Sequence, residues 1–228
     1  MYNLKYKVTT STCDSNGKLK LFSALQMMQD CSEMWIESEP TVKRYFNNQN
    51  MTQLLATRQV EIVRLPDFKE DLTVTTSVYE VKPMFGFRNT FIRDAQGLPC
   101  LKTWSMGAFV DLTTGKLKRI DEETIASITM EDKQDMNYRD RRIILPHEGG
   151  VTLDPVRVMR ADIDYNRHIT MLTMCALQWN CYPRTLRLKA CAWSTAFQPS
   201  SATSSLPPFS TMVASSQCAW PSAPRPAL

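Results

Sequence analysis

The chain has 228 residues, of which 43% are apolar and 22% are charged, which is ordinary usage for a globular protein with a buried core. Its formal net charge of +4 is small, so the charge gives no indication of nucleic acid as a partner. No window approaches the roughly 18 unbroken apolar residues of a membrane span, and the polar start lacks the apolar core of a signal peptide, so we expect a cytoplasmic protein without a membrane span.

The first 140 residues follow the pattern of one long helix and an antiparallel sheet. A strand is predicted over 2–10, an Asn-Gly turn over 14–17 and an amphipathic helix over 21–37, where apolar residues recur at steps of three and four. Period-two alternation then predicts strands around 60–62, 72–78, 85–91 and 101–112. One helix followed by a meander is the α+β element order of a hotdog fold, in which a sheet wraps around a helix.

The second part of the chain begins the same pattern again. A charged, methionine-rich stretch over 121–142 is predicted to be a helix and a linker, and a new strand opens at Val156. We therefore predict tandem hotdog domains, of which the second is incomplete. The predicted organisation is an N-terminal hotdog domain over 1–140, a linker over 141–154, a partial second hotdog domain over 155–193 and an irregular tail over 194–228.

The cysteines and histidines give no sign of a metal or a cofactor. The seven cysteines are odd in number and irregular in spacing, which favours free thiols over a disulfide framework. The chain has two histidines and no Cys-x-x-Cys pair, so we expect no zinc site.

The candidate chemistry lies at the start of the second unit. Asp164, Asn166 and His168 alternate in sequence, so in extended chain they share one face. An imidazole supported by a carboxylate can activate water, and an amide can hold an oxyanion, which suits hydrolysis of an acyl thioester. The same residue types are also common in a turn before a helix, and that alternative stays open.

The run Asp164-x-Asn166-x-His168, after a strand and before a helix, resembles the second domain of the acyl-(acyl carrier protein) thioesterase family. Members of that family have tandem hotdog domains and release free fatty acid from the acyl carrier protein (ACP). The resemblance implies that these three residues are catalytic, that the partner is ACP bearing a fatty acyl chain, and that no cofactor or metal is needed. It covers about residues 1–169, and the first-unit stretches that carry it are Ser15-Asn16-Gly17-Lys18-Leu19, Gln29-Asp30-Cys31-Ser32-Glu33, Arg58-x-x-Glu61-Ile62, Phe85-Gly86-Phe87-Arg88 and Trp104-Ser105-Met106-x-Ala108.

The first unit carries an altered form of the same run. It has Asp14-x-Asn16, but Lys18 stands where a histidine would be. The resemblance therefore implies that the first unit binds acyl chain and does no chemistry.

The last quarter of the chain departs from the family. All 23 acidic residues lie at or before Asp164, although basic residues continue beyond it. The family continues after the histidine with an Asn pair, an amphipathic helix and a strand bearing a catalytic glutamate, and none of these is present. We hypothesise a frameshift near codon 169. A nucleotide sequence can be written that encodes all the missing features when it is intact. After loss of a single base, the same sequence encodes residues 169–196 as they stand here.

Two other functions remain open at this stage. One is a different hotdog thioester enzyme, an acyl-CoA thioesterase or a dehydratase. The other is a non-catalytic protein that binds acyl chains or ACP, which a damaged second unit could produce.

Overall fold

The computed structural model describes residues 1–139, Arg160 and the backbone of Ala190–Ser194. The rest of the chain, which includes Asp164, Asn166 and His168, lies outside the described residues. The predictions of a linker, a partial second domain and an irregular tail therefore remain predictions.

Six strands form one antiparallel sheet: β1 (Tyr2–Lys7), β2 (Met51–Ile62), β3 (Asp71–Lys82), β4 (Phe85–Arg93), β5 (Pro99–Asp111) and β6 (Ala190–Ser194). Their order in the sheet is β1-β3-β4-β5-β2-β6. The three strands β3, β4 and β5 pair in sequence as the predicted meander. The short β6 pairs with β2 on the side away from β5.

The long helix α1 (Leu21–Ser38) lies on one face of this sheet and packs against β1, β3 and β4. Its buried residues, among them Leu25, Met28 and Trp35, recur at steps of three and four, so one stripe of the helix faces the sheet. On β3 the alternate residues Leu72, Val74, Thr76 and Val78 are all at most 4% exposed. A helix wrapped by an antiparallel sheet is the hotdog fold that the element order predicts.

Two short helices complete the first unit. The helix α2 (Pro40–Asn48) was not predicted; it begins with proline at its first position, where the missing N–H has no partner to lose. The helix α3 (Glu122–Ser127) confirms a helix within the stretch 121–142, and the Asp121 carboxylate caps it by accepting from the Thr124 N–H at 2.7 Å.

The outer face of the sheet is covered by an extended segment, residues 131–139, which we call the strap. Asn89 is 1% exposed and anchors it: its amide donates to the Tyr138 hydroxyl at 2.9 Å, and its oxygen accepts from the Gln134 N–H at 3.1 Å. Gln59 on β2 holds the far end by accepting from the Arg139 N–H at 2.9 Å. The strap therefore crosses the sheet from β4 to β2.

Candidate functional site

The Asp14 carboxylate closes the turn that follows it by accepting from backbone N–H groups. One carboxylate oxygen of Asp14 accepts from the N–H of Asn16 at 2.8 Å and from the N–H of Lys18 at 3.0 Å. Gly17 follows with a φ of 73°, a conformation that glycine adopts without steric cost. Because this carboxylate oxygen accepts from two backbone N–H groups, Asp14 stabilises the turn.

The Lys18 side chain points away from any buried site. Its ammonium pairs with Asp67 at 2.6 Å, and both side chains are about half exposed, at 44% and 56%. A solvated ion pair of this kind adds little stability and activates no water. The first-unit version of the motif thus forms a surface turn.

An apolar pocket lies between the C-terminal half of α1 and the sheet. Its walls include Trp35 of α1, Phe46 of α2 and Phe109 of β5, and the two phenylalanine rings meet edge to face at 5.8 Å. The cavity that remains between the side chains is about 10 Å³, roughly the space of one water molecule. The described residues that line it are Trp35, Ile36, Val42, Phe46, Gln53, Val78, Gly86, Arg88, Phe109, Ile120 and Ile128.

A buried cation stands in the wall of this pocket. Arg88 on β4 is 7% exposed; its guanidinium donates to the Ser32 carbonyl of α1 at 3.0 Å and to the Gln53 amide oxygen at 3.2 Å. It also lies 4.9 Å from the centre of the Trp35 ring, a cation–π contact. Burial lowers the pKa of Arg88 to about 10, against an opposing effect of the Glu33 charge, so the group is a cation at neutral pH.

Two glycines make room for the Gln53 side chain. Gly86 and Gly107 are opposite each other on β4 and β5. A Cβ atom at Gly86 would lie 2.5 Å from the Gln53 amide nitrogen, and one at Gly107 would lie 2.5 Å from its Cγ. With the Gln53 side chain in this position neither residue has room for a Cβ atom, and Gln53 lies in the resulting trench, which we call the glycine trench.

A second polar group lies at the seam between α1 and β2. Arg58 is 1% exposed and donates to the Gln29 side-chain oxygen at 3.4 Å, while the Gln29 amide donates to Glu33 at 2.7 Å. In the sheet, Arg58 is paired through its backbone with Trp193 of β6. This polar seam therefore borders the later part of the chain.

The sequence analysis did not identify Arg88 and Gln53 as site residues. An arginine in an alternating strand is expected to point to solvent, and nothing near Gln53 indicates a pocket. The available signal was a glycine inside each of two predicted strands, since glycine inside a strand often marks close approach of another group. Among the described residues no three His, Cys, Asp or Glu side chains are grouped to hold a metal, and no described helix is long and apolar enough to cross a membrane.

Comparison with known proteins identifies the family of the first unit. The sequence model of the acyl-ACP thioesterase N-terminal domain matches residues 1–128, more than half of the chain. A search of curated proteins finds no match.

Solved structures show the same fold. A provisionally assigned oleoyl thioesterase from Lactobacillus plantarum has a TM-score of 0.72 at 21% identity, over 86% of this chain and 78% of that one. An acyl-ACP thioesterase from Bacteroides thetaiotaomicron has a TM-score of 0.72 at 19% identity, over 85% and 80%. The 12:0-ACP thioesterase from Umbellularia californica has a TM-score of 0.69 at 13% identity, over 86% and 81%.

Proposed function

The chain belongs to the acyl-ACP thioesterase family, and from that premise we propose that its function is the hydrolysis of fatty acyl-ACP to free fatty acid and ACP. The observation that carries the proposal is the family match over 1–128 together with the run Asp164-x-Asn166-x-His168 that follows it. The proposal places the reaction in fatty acid biosynthesis in the cytoplasm, with ACP as the partner.

The proposed chemistry uses the three residues of the second unit. His168 takes a proton from water as the water oxygen attacks the thioester carbonyl carbon. Asp164 supports the positive charge of the imidazolium, and the Asn166 amide donates to the carbonyl oxygen as it becomes negative. The carbon–sulfur bond then breaks, and the proton passes to the sulfur, which leaves as the carrier thiol.

The first unit supports this chemistry by binding. Its turn has Lys18, paired with Asp67, in the position of His168, and the Asp14 carboxylate is held by backbone N–H groups. Its apolar pocket offers aromatic and aliphatic walls to an acyl chain. In the proposal the first unit therefore binds the acyl chain, and the second unit hydrolyses the thioester.

We further propose that the 228-residue chain is impaired. The 64 residues after Asp164 contain no Asp or Glu, so no glutamate is available there to act with His168. A single lost base near codon 169 accounts for this composition. We call the protein read from the same gene with that base present the frame-restored chain.

The carrier specificity needs a direct comparison of substrates. The frame-restored chain should release free fatty acid from acyl-ACP faster than from acyl-CoA with the same acyl chain, measured as free acid at equal substrate concentration. Faster release from acyl-CoA would reassign the protein to an acyl-CoA thioesterase. Tight acyl-ACP binding without any release would reassign it to a binding protein.

A further inference from the structure

Three exposed apolar side chains lie at one end of the sheet, where β2 and β4 end and β3 and β5 begin. They are Val63, which is 55% exposed, Phe68, which is 45% exposed, and Leu98, which is 62% exposed. Val63 directly follows β2 and Leu98 directly precedes β5, and these two strands are paired, so the two side chains are neighbours. We call this surface, formed by residues 63–70 and 94–98, the loop end.

Hydrogen bonds hold the loops of the loop end in place. The Arg64 guanidinium donates to Glu70 at 2.9 Å and to Asp94 at 2.8 Å, so it ties the loop after β2 to the turn after β4. Lys69 has a φ of 72°, a left-handed conformation that a lysine rarely adopts. Its ammonium lies 5.4 Å from the centre of the exposed Phe68 ring, so the loop presents an aromatic ring and a cation together.

The loop end has an excess of positive charge. The carboxylates in ion pairs there are Asp67 with Lys18, Asp71 with Lys7, and Glu70 and Asp94 with Arg64. A further carboxylate, of Asp14, accepts from backbone N–H groups. Lys5, Lys69 and Arg93 have no carboxylate within ion-pair distance among the described residues. These three cations are therefore left to attract an anionic partner.

Two of these cations extend the positive surface along the sheet. Lys5 of β1 is paired with Thr73 of β3, and Thr73 is paired with Arg93 of β4, so the three residues form one row across the strands. Side chains directly opposite each other in paired strands lie on the same face of a sheet. Lys5 and Arg93 therefore flank Thr73 on the face where Arg93 stacks on Phe91 at 4.9 Å.

The opposite end of the sheet has similar apolar exposure without the same charge. Leu112 is 59% exposed and Leu117 is 48% exposed in the segment after β5. The exposed carboxylates of Glu122 and Glu123 follow at the start of α3, and neither forms an ion pair with the described residues. Free negative charge opposes approach to an anionic surface, so only the loop end combines apolar side chains with unpaired cations.

We propose that the loop end docks on an anionic lipid surface, with its apolar side chains among the lipid acyl chains and its cations beside the lipid phosphates. Single apolar side chains separated by charges suit a fluid bilayer, which closes around each of them, whereas a protein partner needs one contiguous complementary surface. Each cation beside an anionic bilayer strengthens binding about fivefold. This goes beyond the proposed function, because it concerns where the protein binds and not the reaction.

The test is cosedimentation of the full 228-residue chain with lipid vesicles, which needs no hydrolysis and so is independent of the proposed activity. Vesicles of phosphatidylcholine alone are compared with vesicles that also contain phosphatidylglycerol, each at low and at high salt. We expect binding to the anionic vesicles to be about tenfold or more tighter at low salt, and to weaken at high salt because salt screens charge. Equal binding to both kinds of vesicle would overturn the proposal.

Two pairs of variants locate the surface. Leu98→Ser and Lys69→Gln should each weaken binding to the anionic vesicles about fivefold. The controls are Leu112→Ser and Lys116→Gln, because these residues have matched exposure at the opposite end of β5, and they should leave binding nearly unchanged. Every variant keeps the basic residues after Asp164, so their contribution to binding is the same throughout.

The variants also separate a lipid surface from a second copy of the chain as the occupant of the loop end. Self-association is measured in parallel by sedimentation velocity without lipid. Loss of self-association in Leu98→Ser, with vesicle binding unchanged, would assign the loop end to a contact between copies and overturn the proposal. Equal losses of vesicle binding in the two variants and their two controls would overturn it as well.

Discussion

At the scale of single residues, the Asp14 turn raises the question of what the corresponding residue of the second unit, Asp164, does. Asp14 uses its carboxylate to close a turn through the N–H groups of Asn16 and Lys18. Asp164 stands at the same spacing before Asn166 and His168, so it has two candidate roles, closing a turn or supporting the imidazole. An asparagine oxygen can still accept from backbone N–H groups, but it cannot support a positive charge as a carboxylate does.

The substitution Asp164→Asn in the frame-restored chain separates these roles. We expect kcat for acyl-ACP to fall by about 10²–10⁴-fold with little change in Tm, since a group that assists acid–base catalysis contributes on that order. Asp14→Asn is the control and should leave kcat unchanged. Near-normal turnover in Asp164→Asn would leave that carboxylate with the turn-closing role only.

At the scale of elements, one arginine ties two loops together. Arg64, after β2, donates to Glu70, before β3, at 2.9 Å and to Asp94, after β4, at 2.8 Å. These hydrogen bonds hold the pKa of both carboxyls below their ordinary values. A carboxyl with a lowered pKa in the folded state stabilises the fold above its unfolded pKa of about 4, and that contribution is lost as pH falls through the lowered folded pKa.

We therefore expect Arg64→Met to lower Tm at pH 7 and to have a progressively smaller effect as pH falls below about 4, where the carboxyls begin to take up protons on unfolding. Thermal unfolding across this pH range is the measurement. Arg44→Met, at an exposed position of α2, is the control and should shift Tm equally little across the range. A Tm loss in Arg64→Met that does not depend on pH would assign Arg64 a packing role and not an ionic one.

The strap is held to the sheet by hydrogen bonds of buried side chains. The Tyr138 hydroxyl accepts from the Asn89 amide at 2.9 Å and donates to the Gln134 carbonyl at 2.7 Å, and Lys133 lies 3.7 Å from the centre of its ring. Removing the hydroxyl leaves the buried Asn89 amide with a donor to satisfy. A lost hydrogen bond of this kind costs about 1–3 kcal/mol.

Tyr138→Phe should therefore speed hydrogen exchange of residues 131–139 before it affects the core strands. Tyr79→Phe is a matched control, because Tyr79 also faces Lys133, at 5.5 Å, and its hydroxyl has no hydrogen-bond partner among the described residues. Exchange mapped by mass spectrometry measures the difference. Equal exchange in the two variants would mean that the strap is held by its apolar contacts alone.

The elements also show how far sequence patterns reach. Helix α1 and strand β3 were predictable, because a stripe at steps of three and four, or alternation, marks one buried face. Strands β4 and β5 were predictable as apolar stretches bounded by turns at 94–97 and 111–115. Strand β2 begins at Met51, well before the predicted strand around 60–62. The prediction missed its first part because this stretch has no strict alternation that would mark one buried face. The role of Arg88 depends on Gln53 and two glycines brought together from three strands, and such a contact leaves no periodic trace.

At the scale of the whole molecule, the pairing of β6 with β2 connects the first unit to the later chain. The pairs run from Thr57↔Ser194 to Glu61↔Ala190 and involve the backbone. Edge pairing of this kind accepts many sequences, because main-chain N–H and C=O groups supply the bonds. A segment with an altered side-chain sequence can therefore pair with β2 without restoring the chemistry proposed for the second unit.

The most direct test of the central claim, that this is an acyl-ACP thioesterase whose second unit has lost part of its chemistry, is the rate of free fatty acid release from acyl-ACP by two proteins in parallel. These are the 228-residue chain and the frame-restored chain, with His168→Ala in the frame-restored chain as the control for mechanism. We predict turnover by the frame-restored chain, a loss of about 10²–10⁴-fold in His168→Ala, and weak or absent release by the 228-residue chain. Equal rates from the two chains, or normal turnover by His168→Ala, would contradict the account.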